Sequence, residues 1–336
     1  MSSDCNMFIG LDYHDQSVQV CGLDGEGGQQ FNRRCRNDWQ AIVASVGAGV
    51  PVEAAIEATP GAADLAEQLV EYAGWSVHLA HARYVAKLKQ SPDKTDFSDA
   101  KLLADLTRVG YLPRVWLAPH GVRELRRLVN HRRQLADRIR ALKLRLGALL
   151  RDHRVSIEGR RWSQDWRRRL AEQMPTLPGE TSWIIGEHLA ELAEQARRLK
   201  SAEQRLHQVT ADDAVTDRLL AQQGVGLVTA TALRAAIGRF DRFRSGKALA
   251  RYCGLSPRNA SSGMRQSDGG LISEANKPLR ALLIELAWRL IRYVPRWRAM
   301  AAQMRRRGKA GSLIAAAVAN RWVRRLHHVM KEPTMA

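Results

Sequence analysis

The stretch MFIGLDYHDQSVQVCGL, residues 7–23, decides the fold expected for the first hundred residues. Its first seven residues form an apolar run of strand length that carries Asp12 near its end. Residues 17–23 alternate in polarity, as the partner strand of a hairpin would, and the polar pair His14 and Asp15 supplies the turn. The stretch therefore predicts a β-hairpin with a carboxylate at the end of its first strand.

The pattern downstream alternates between strands and helices. Apolar runs of strand length are separated by segments with helical periodicity and glycine-rich turns. The predicted elements are a strand near 29–32, a short helix at 38–48, a strand at 52–58, a helix at 61–74, a strand at 76–80 and a helix from about 95 to 108. The order β-β-β-α-β-α-β-α predicts an α/β domain of the ribonuclease-H-like class.

Four carboxylates occupy the positions where such a sheet would gather acids. Asp12 and Glu57 end predicted strands, while Asp96 and Asp99 are three residues apart on one face of the last helix. Mg²⁺ prefers oxygen ligands. Two such ions about 4 Å apart stabilise the entering and leaving oxygens of a displacement at phosphorus. The four acids predict a phosphodiester-cleaving centre that binds Mg²⁺, with Mn²⁺ as a substitute.

Each acid also has an ordinary structural interpretation. Asp96 and Asp99 suit the first turn of a helix that begins after an N-cap at Thr95. Asp12 would then be a turn residue and Glu57 a surface acid. The four positions taken together favour the metal site, because clustered acids without a cation repel one another.

The charge distribution indicates the partner. The 336 residues carry a formal net charge of +19, yet residues 1–111 hold 9 Lys/Arg against 15 Asp/Glu, a net of −6, which leaves +25 for the remainder. An acidic head and a basic body suit a metal-holding part joined to a part that holds nucleic acid. The sequence has no run of 18 apolar residues, no secretory signal pattern and no CxxC spacing. We expect a cytoplasmic, nucleoid-associated protein without a zinc ribbon.

A heptad pattern follows a proline-bracketed linker at 112–121. Two leucine-rich seams are separated by a polar connection with Trp162 and Trp166, which we expect to be buried anchors, with base stacking as the alternative. The first seam comprises Leu125, Leu128, Leu135, Ile139, Leu142, Leu146 and Leu149 with Arg132 at a core position, and the second comprises Leu189, Leu192, Ala196, Leu199 and Leu206. They predict an antiparallel coiled-coil arm at 119–210. Its basic outer face either follows the phosphates of a nucleic acid or is simply exposed to solvent.

The remainder, 211–336, is predicted to be helical. Two apolar helices flank Gly224 and Gly226, a pattern typical of a helix-hairpin-helix whose backbone N–H groups approach phosphate, or of a tight connection alone. The final segment, 277–331, holds 14 Lys/Arg and a single acid. This density predicts contact with a nucleic-acid backbone. The densest run of cations comprises Arg305, Arg306 and Arg307.

Several motifs occur in a fixed order along the chain. They are IGLDYHDQSVQV, IEATPG around Glu57, KTDFSDAKLLADL around Asp96 and Asp99, AAIGRFDRF, YCGLSPRNASSG ending on Ser262 and Gly263, and ISEANKPLRALL. In these motifs the chain resembles the DEDD transposases of bacterial insertion sequences, the IS110 group with its IS1111 subgroup, and the related Piv-type DNA invertases. It departs from the pattern at Gln223, where a proline is usual, and in the run SEANK at 273–277.

The resemblance implies a function for each part. A RuvC-like head at 1–118 would bind Mg²⁺ through its four acids, and a coiled-coil arm would join it to a transposase domain at 211–336. That domain would supply Ser262 as a nucleophile that forms a covalent link to DNA. From the sequence itself, the neighbouring Arg258 and Arg265 are predicted nucleic-acid contacts, and such cations can help to activate a serine hydroxyl. The resemblance also implies a structured, element-encoded guide RNA, element-end and target DNA as partners, and a homodimer or homotetramer.

Two other functions fit parts of the same pattern. One is a metal-only, junction-resolving nuclease of the RuvC kind, in which Ser262 has no chemical role. The other is a noncatalytic nucleic-acid-binding protein that retains a decayed nuclease fold. The presence of all four acids argues against decay.

Overall fold

The computed structural model describes residues 7–47, 49–88, 95–259, 268–272 and 275–331. The chain divides into two compact units, Met1–His120 and Gly121–Ala336. We call them the N-terminal unit and the C-terminal unit.

The N-terminal unit is an α/β structure around a six-stranded sheet of order β3-β2-β1-β4-β5-β6. Strands β1, β4 and β5 run parallel, and the other neighbouring pairs are antiparallel. Its elements are β1 Met7–Tyr13, β2 Ser17–Leu23, β3 Gln29–Arg36, α1 Trp39–Val46, β4 Val52–Glu57, α2 Ala62–Ala73, β5 Ser76–Ala80, α3 Ala82–Leu88, α4 Asp96–Arg108 and β6 Arg114–Val115. The predicted mixed α/β architecture is confirmed.

Three details differ from the sequence prediction. Strand β3 continues to Arg36, four residues beyond the predicted end. Helix α3 was not predicted, because its seven residues make fewer than two turns and show no readable period. The expected linker at 112–121 contains β6, which pairs with the end of β5 through Leu79↔Val115 and Ala80↔Arg114.

One face of the sheet packs on α1 and α2. In β1, Ile9 and Leu11 point to this face and are fully buried together with Ile42 of α1 and Leu69 of α2. Side chains alternate along a strand, so Gly10 and Asp12 point to the opposite face. Helix α4 covers that opposite face.

Gly10 allows α4 to lie directly on β1. A Cβ atom at this position would stand 1.8 Å from the Ala100 carbonyl oxygen and 2.6 Å from the Ala104 amide nitrogen. Both alanines are themselves buried against Cys21 and Leu23 of β2. Small residues on both surfaces therefore bring the N-terminal turn of α4 close to the end of β1.

The C-terminal unit is mostly helical. Its elements are α5 His120–Asp152, α6 Gln164–Gln173, a 3₁₀ turn Met174–Thr176, α7 Gly179–Val209, α8 Ala214–Leu220, α9 Leu227–Ile237, α10 Gly246–Tyr252, β7 Pro257–Asn259, β8 Asp268–Leu271, α11 Lys277–Tyr293, α12 Pro295–Arg306 and α13 Gly311–Lys331. The two short strands pair with each other. In the described residues no helix combines the length and apolar content that crossing a membrane requires.

Helices α5 and α7 form a long antiparallel pair. Near one end Leu125 packs with Leu206, and near the other Leu142 and Leu146 pack with Ile185 and Leu192. Trp166 of α6 is buried in that second cluster and Trp162 lies half-buried beside it, as expected for anchors. The predicted helical hairpin is therefore present.

Two positions of the predicted seams, Arg132 and Ala196, depart from a simple apolar core. Arg132 tolerates its core position because its guanidinium bonds Glu203 Oε1 at 2.7 Å across the pair. The prediction for Ala196 was wrong: that residue is exposed and Gln195 is buried instead. After Leu192 the helical period places the next inward residue three positions on, whereas the sequence prediction took a step of four.

Candidate metal centre

Three side chains converge where β1 ends and α4 begins. His14 Nε2 lies 3.3 Å from Asp12 Oδ2 and 3.3 Å from Asp96 Oδ1. One donor atom from each residue can be chosen so that all three lie within 4.8 Å of one another. The side chains of His14 and Asp96 are half exposed and that of Asp12 is mostly covered, so the cluster opens to solvent on one side.

Asp99 places a third carboxylate near this cluster, close enough for its charge to act on Asp12. It is a buried acid, 8 % exposed, and lies on the first turn of α4 with Asp96. Burial raises the pKa of Asp12; the His14 ring lowers it, and the charges of Asp99 and Asp96 raise it further. Ionised Asp12 is therefore disfavoured both by its burial and by the negative charges of its neighbours.

Glu57 occupies the end of the neighbouring parallel strand. The last paired residues of β1 and β4 are Leu11 and Ile56, so Asp12 and Glu57 follow them at adjacent strand ends. Ala55 packs on the α4 side with Leu103. Because side chains alternate, Glu57, two residues later, projects from the same face as Ala55. Asp12 and Glu57 thus lie at one edge and on one face of this sheet, the face that α4 covers, although Glu57 is not among the three residues whose donor atoms converge.

Hydrogen bonds fix the acid-bearing turn of α4. The Gln19 amide donates to Asn32 Oδ1 at 2.7 Å, and Asn32 Nδ2 donates to the Phe97 carbonyl oxygen at 3.0 Å. At the start of the same helix Thr95 is the N-cap and forms a reciprocal capping box with Ser98. The structural interpretation of a capped helix start is therefore correct, and it coexists with the convergence of the acids.

The donor set fits a hard divalent cation. Its carboxylate oxygens are the ligands that Mg²⁺ and Mn²⁺ favour. A cation bound among Asp12, Asp96 and Asp99 would also offset the mutual repulsion that raises the pKa of Asp12. The open side leaves room for further ligands from water or a phosphate group.

His14 is the member of the cluster that sequence reasoning missed. The residue was assigned only to the turn between the first two strands, and its backbone N–H does close that turn on the Ser17 carbonyl oxygen at 3.0 Å. The available signal was its spacing of two from Asp12, which places both residues on one side of an extended chain.

The other predicted site residues lie elsewhere in the chain. Ser262 and Arg265 fall within 260–267, outside the described residues. Arg258 is exposed on β7, immediately before that segment. Arg305, Arg306 and Arg307 are exposed at the end of α12, and none has an ion-pair partner among the described residues.

The two glycines between α8 and α9 differ in whether the structure could accommodate a side chain at their positions. Gly224 has a φ of 83°, and a Cβ there would lie 3.1 Å from Leu290 Cδ2, so both backbone and packing favour glycine. Gly226 is the N-cap of α9 in an extended conformation, and a Cβ would meet nothing within 4 Å. Its small size leaves the first N–H groups of α9 uncovered by a side chain.

Comparison with known proteins gives matches over most of the chain. Residues 9–154 match the DEDD transposase model of the IS110 type, and residues 216–302 match the model described as "Transposase IS116/IS110/IS902 family". A "Probable family 20 transposase" of Pseudomonas aeruginosa is 30% identical over 296 residues, 84% of each chain. The transposase for insertion sequence element IS1111A of Coxiella burnetii is 25% identical over 289 residues, 85% of this chain and 78% of that protein.

Proposed function

Because this chain belongs to the IS116/IS110/IS902 family of transposases, we propose that it cuts and rejoins DNA strands to move an insertion sequence. The observation that carries the proposal is the convergence of Asp12, Asp96 and Asp99 beside the strand end that bears Glu57. The sheet order, with antiparallel β1–β3 followed by parallel β4 and β5, supports a RuvC-like, ribonuclease-H-like head at 1–118.

In this proposal the metal ligands come from two kinds of element, the ends of two strands and the first turn of a helix. Asp12 and Glu57 end adjacent strands, and Asp96 and Asp99 approach from the first turn of α4. A bound pair of Mg²⁺ or Mn²⁺ ions supplies charge stabilisation to the entering and leaving oxygens at phosphorus. His14, in contact with Asp12 and Asp96, keeps these two carboxylates oriented toward each other.

Ser262 is the proposed nucleophile, by resemblance to the family. Its hydroxyl oxygen attacks a backbone phosphorus, and the bond from phosphorus to a deoxyribose oxygen breaks. The serine proton passes to a base and the freed sugar oxygen leaves as a hydroxyl. A phosphodiester between protein and DNA then retains the bond energy, so that a second strand hydroxyl can attack it and release Ser262.

The partners follow from this role. The DNA of the element ends and of the target is the substrate, and a structured guide RNA encoded by the element selects the sites through base pairing. The coiled-coil arm at 119–210 and the transposase domain at 211–336 hold the nucleic acid. Gly224, Gly226, Arg258, Arg265 and the run Arg305–Arg307 are proposed contacts. A homodimer or homotetramer in the cytoplasm, on the nucleoid, brings two DNA sites together.

A covalent adduct tests the proposal. The full chain is incubated with element-end DNA, the guide RNA and Mg²⁺, then denatured, and protein-bound DNA is measured by gel shift. We expect an adduct in the parent and in Ser261→Ala, and none in Ser262→Ala. The neighbouring serine provides a control with the same loss of a hydroxyl in the same segment.

The other outcomes separate the alternatives. Cleavage that needs Mg²⁺ but leaves no adduct in any variant would support a metal-only nuclease. An adduct that persists in Ser262→Ala would contradict the role of this serine. Specific binding without any cleavage, with or without Mg²⁺, would support a noncatalytic nucleic-acid-binding protein.

A further inference from the structure

A cavity of about 560 Å³ lies within the C-terminal unit, between α5 on one side and α9 and α11 on the other. Its volume is within the range of sites that hold small ligands. The residues of the metal centre and of the glycine turn do not line it, so the cavity is separate from both.

The two walls differ in chemistry. The α9 and α11 side offers small and aliphatic side chains: Val228, Ala232, Ala235, Ala236, Leu279, Ala281 and Leu282. Thr231 and Asn276 are the uncharged polar residues of the same wall, so most of it is apolar and can contact the face of an uncharged ring. This wall favours an uncharged, largely apolar group.

The α5 wall is cationic. Arg126, Arg133 and Arg140 recur every seventh residue, so they form one stripe along the helix about 10 Å apart. The lining acids are Asp137, which lies 3.7 Å from Arg140, and Glu285. Arg133 is exposed and has no ion-pair partner among the described residues, so it can receive an external anion.

An oriented aromatic ring completes the lining. The Tyr252 hydroxyl donates to the Ala236 carbonyl oxygen at 2.8 Å, and the Arg242 guanidinium lies 4.8 Å from the ring centroid. Next to it, Arg126 Nε donates to the Ala235 carbonyl oxygen at 2.6 Å. These bonds hold both side chains at the cavity before any ligand binds.

We infer that this cavity receives an unpaired nucleotide of the DNA strand, with its base on the apolar wall and its phosphate on Arg126 and Arg133. An apolar wall beside an aromatic ring that is held by a hydrogen bond, together with a stripe of cations, matches the two chemical halves of a nucleotide, its base and its phosphate. Only an unstacked base can enter such a cavity. The inference rests on the proposed function, because strand exchange exposes unpaired nucleotides.

Two variants and one control test the inference in the full chain. Ala232→Trp fills the cavity, Arg133→Gln removes the free cation, and Arg138→Gln removes the same charge from an exposed position of α5 outside the cavity. The probe is a fluorescent 20-nucleotide single-stranded DNA of mixed sequence, compared with its blunt duplex and with RNA of the same sequence. Fluorescence anisotropy gives each Kd.

We expect each of the first two variants to weaken single-strand binding about tenfold, because Ala232→Trp excludes the base and Arg133→Gln removes a phosphate contact; tenfold corresponds to about 1.4 kcal/mol. Duplex binding should change no more than in Arg138→Gln. Equal losses on single strand and duplex would overturn the inference, as would a cavity-dependent affinity for RNA alone. A change of oligomeric mass in Ala232→Trp with unchanged DNA affinity would make the cavity a protein interface instead.

Failure of this inference is distinguishable from failure of the proposed function. If Ala232→Trp fails to fold, the exposed Arg133→Gln change still decides the question. Both variants could still form the adduct and bind Mg²⁺ while their affinity for single-stranded DNA is unchanged. That result would contradict the role of the cavity without contradicting the transposase proposal. A parent that never cleaves DNA would defeat the proposed function itself.

Discussion

Acidic side chains at two places in the chain, one in each unit, are held in opposite ways. In the C-terminal unit Asp213 and Glu194 are matched by arginines: Asp213 accepts from Arg234 Nε at 2.7 Å, and hydrogen bonds from Arg197 and Arg198 lower the pKa of Glu194 to about 2. In the N-terminal unit Asp12 is held close to other acids, and burial raises its pKa. The first arrangement stabilises the fold, whereas the second costs stability.

The difference identifies which acids are available to a ligand. A carboxylate already bonded to a guanidinium has little left to offer an external cation. Clustered carboxylates gain from one, because it removes their repulsion. Asp213 and Glu194 are thus acids of a structural kind, whereas the acids around Asp12 are candidate metal ligands.

The largest expected effect follows from removing a cluster acid. Asp99→Asn takes one charge from the buried end of the cluster and should reduce Mg²⁺-dependent DNA cleavage by more than about 100-fold, since loss of an outer-sphere partner alone typically costs 10–100-fold. Initial rates of cleavage, with circular dichroism as the check on folding, measure it. Retained cleavage in a folded Asp99→Asn protein would place this acid outside the site.

The next largest effect is expected from a change that disturbs the packing of α4 on β1, which brings Asp96 close to Asp12. Gly10→Ala forces a Cβ against the Ala100 carbonyl oxygen and should push α4 off β1, lowering the free energy of unfolding by about 3 kcal/mol. Gly25→Ala is the matched control, because its Cβ would meet nothing within 4 Å. Urea unfolding compares the two. Equal stability of both variants would show that α4 does not depend on this close contact.

A smaller loss is expected at a paired acid. Asp213→Ala removes the N-cap of α8 and the ion pair with Arg234, and should destabilise the chain by about 2 kcal/mol. Burial alone would raise the pKa of Asp213, but bonds from Arg234 and Thr216 lower it below 3.8. Its stabilisation is therefore present at neutral pH and lost as the pH falls through the lowered value. Unfolding free energies of parent and variant at pH 7 and near pH 3 should differ by more at pH 7.

Much of the N-terminal unit could be predicted because its signals are local. Alternation in Ser17–Leu23 and the spacing of Asp96 and Asp99 are properties of a few neighbouring residues. The closeness of α4 to β1 depends on Gly10 meeting Ala100 across ninety residues of sequence, which no local pattern records. His14 was missed for the same reason, since only the folded chain brings Asp96 beside it.

The C-terminal unit shows the limit of periodicity. The helical period correctly located α5 and α7. Inward-facing positions follow one another by three or four residues, so the period alone could not decide whether Gln195 or Ala196 follows Leu192 in the core. Alanine was predicted because it is apolar, but in the structure Gln195 is buried and Ala196 is exposed. The arginine-lined cavity could not be predicted from the sequence, because its walls come from helices α5, α7, α9, α10 and α11, which are spread over more than 150 residues of the chain.

Thermal unfolding of the parent and Asp12→Asn at neutral pH, with and without Mg²⁺, tests the central claim most directly. A raised pKa in the folded state means that the ionised Asp12 disfavours folding at pH values above that pKa. Without metal, Asp12→Asn should therefore unfold at a higher temperature than the parent. With Mg²⁺ the parent should gain stability and the variant should not. A parent whose unfolding temperature is unaffected by Mg²⁺, or a variant that gains as much, would contradict a cation site among these carboxylates.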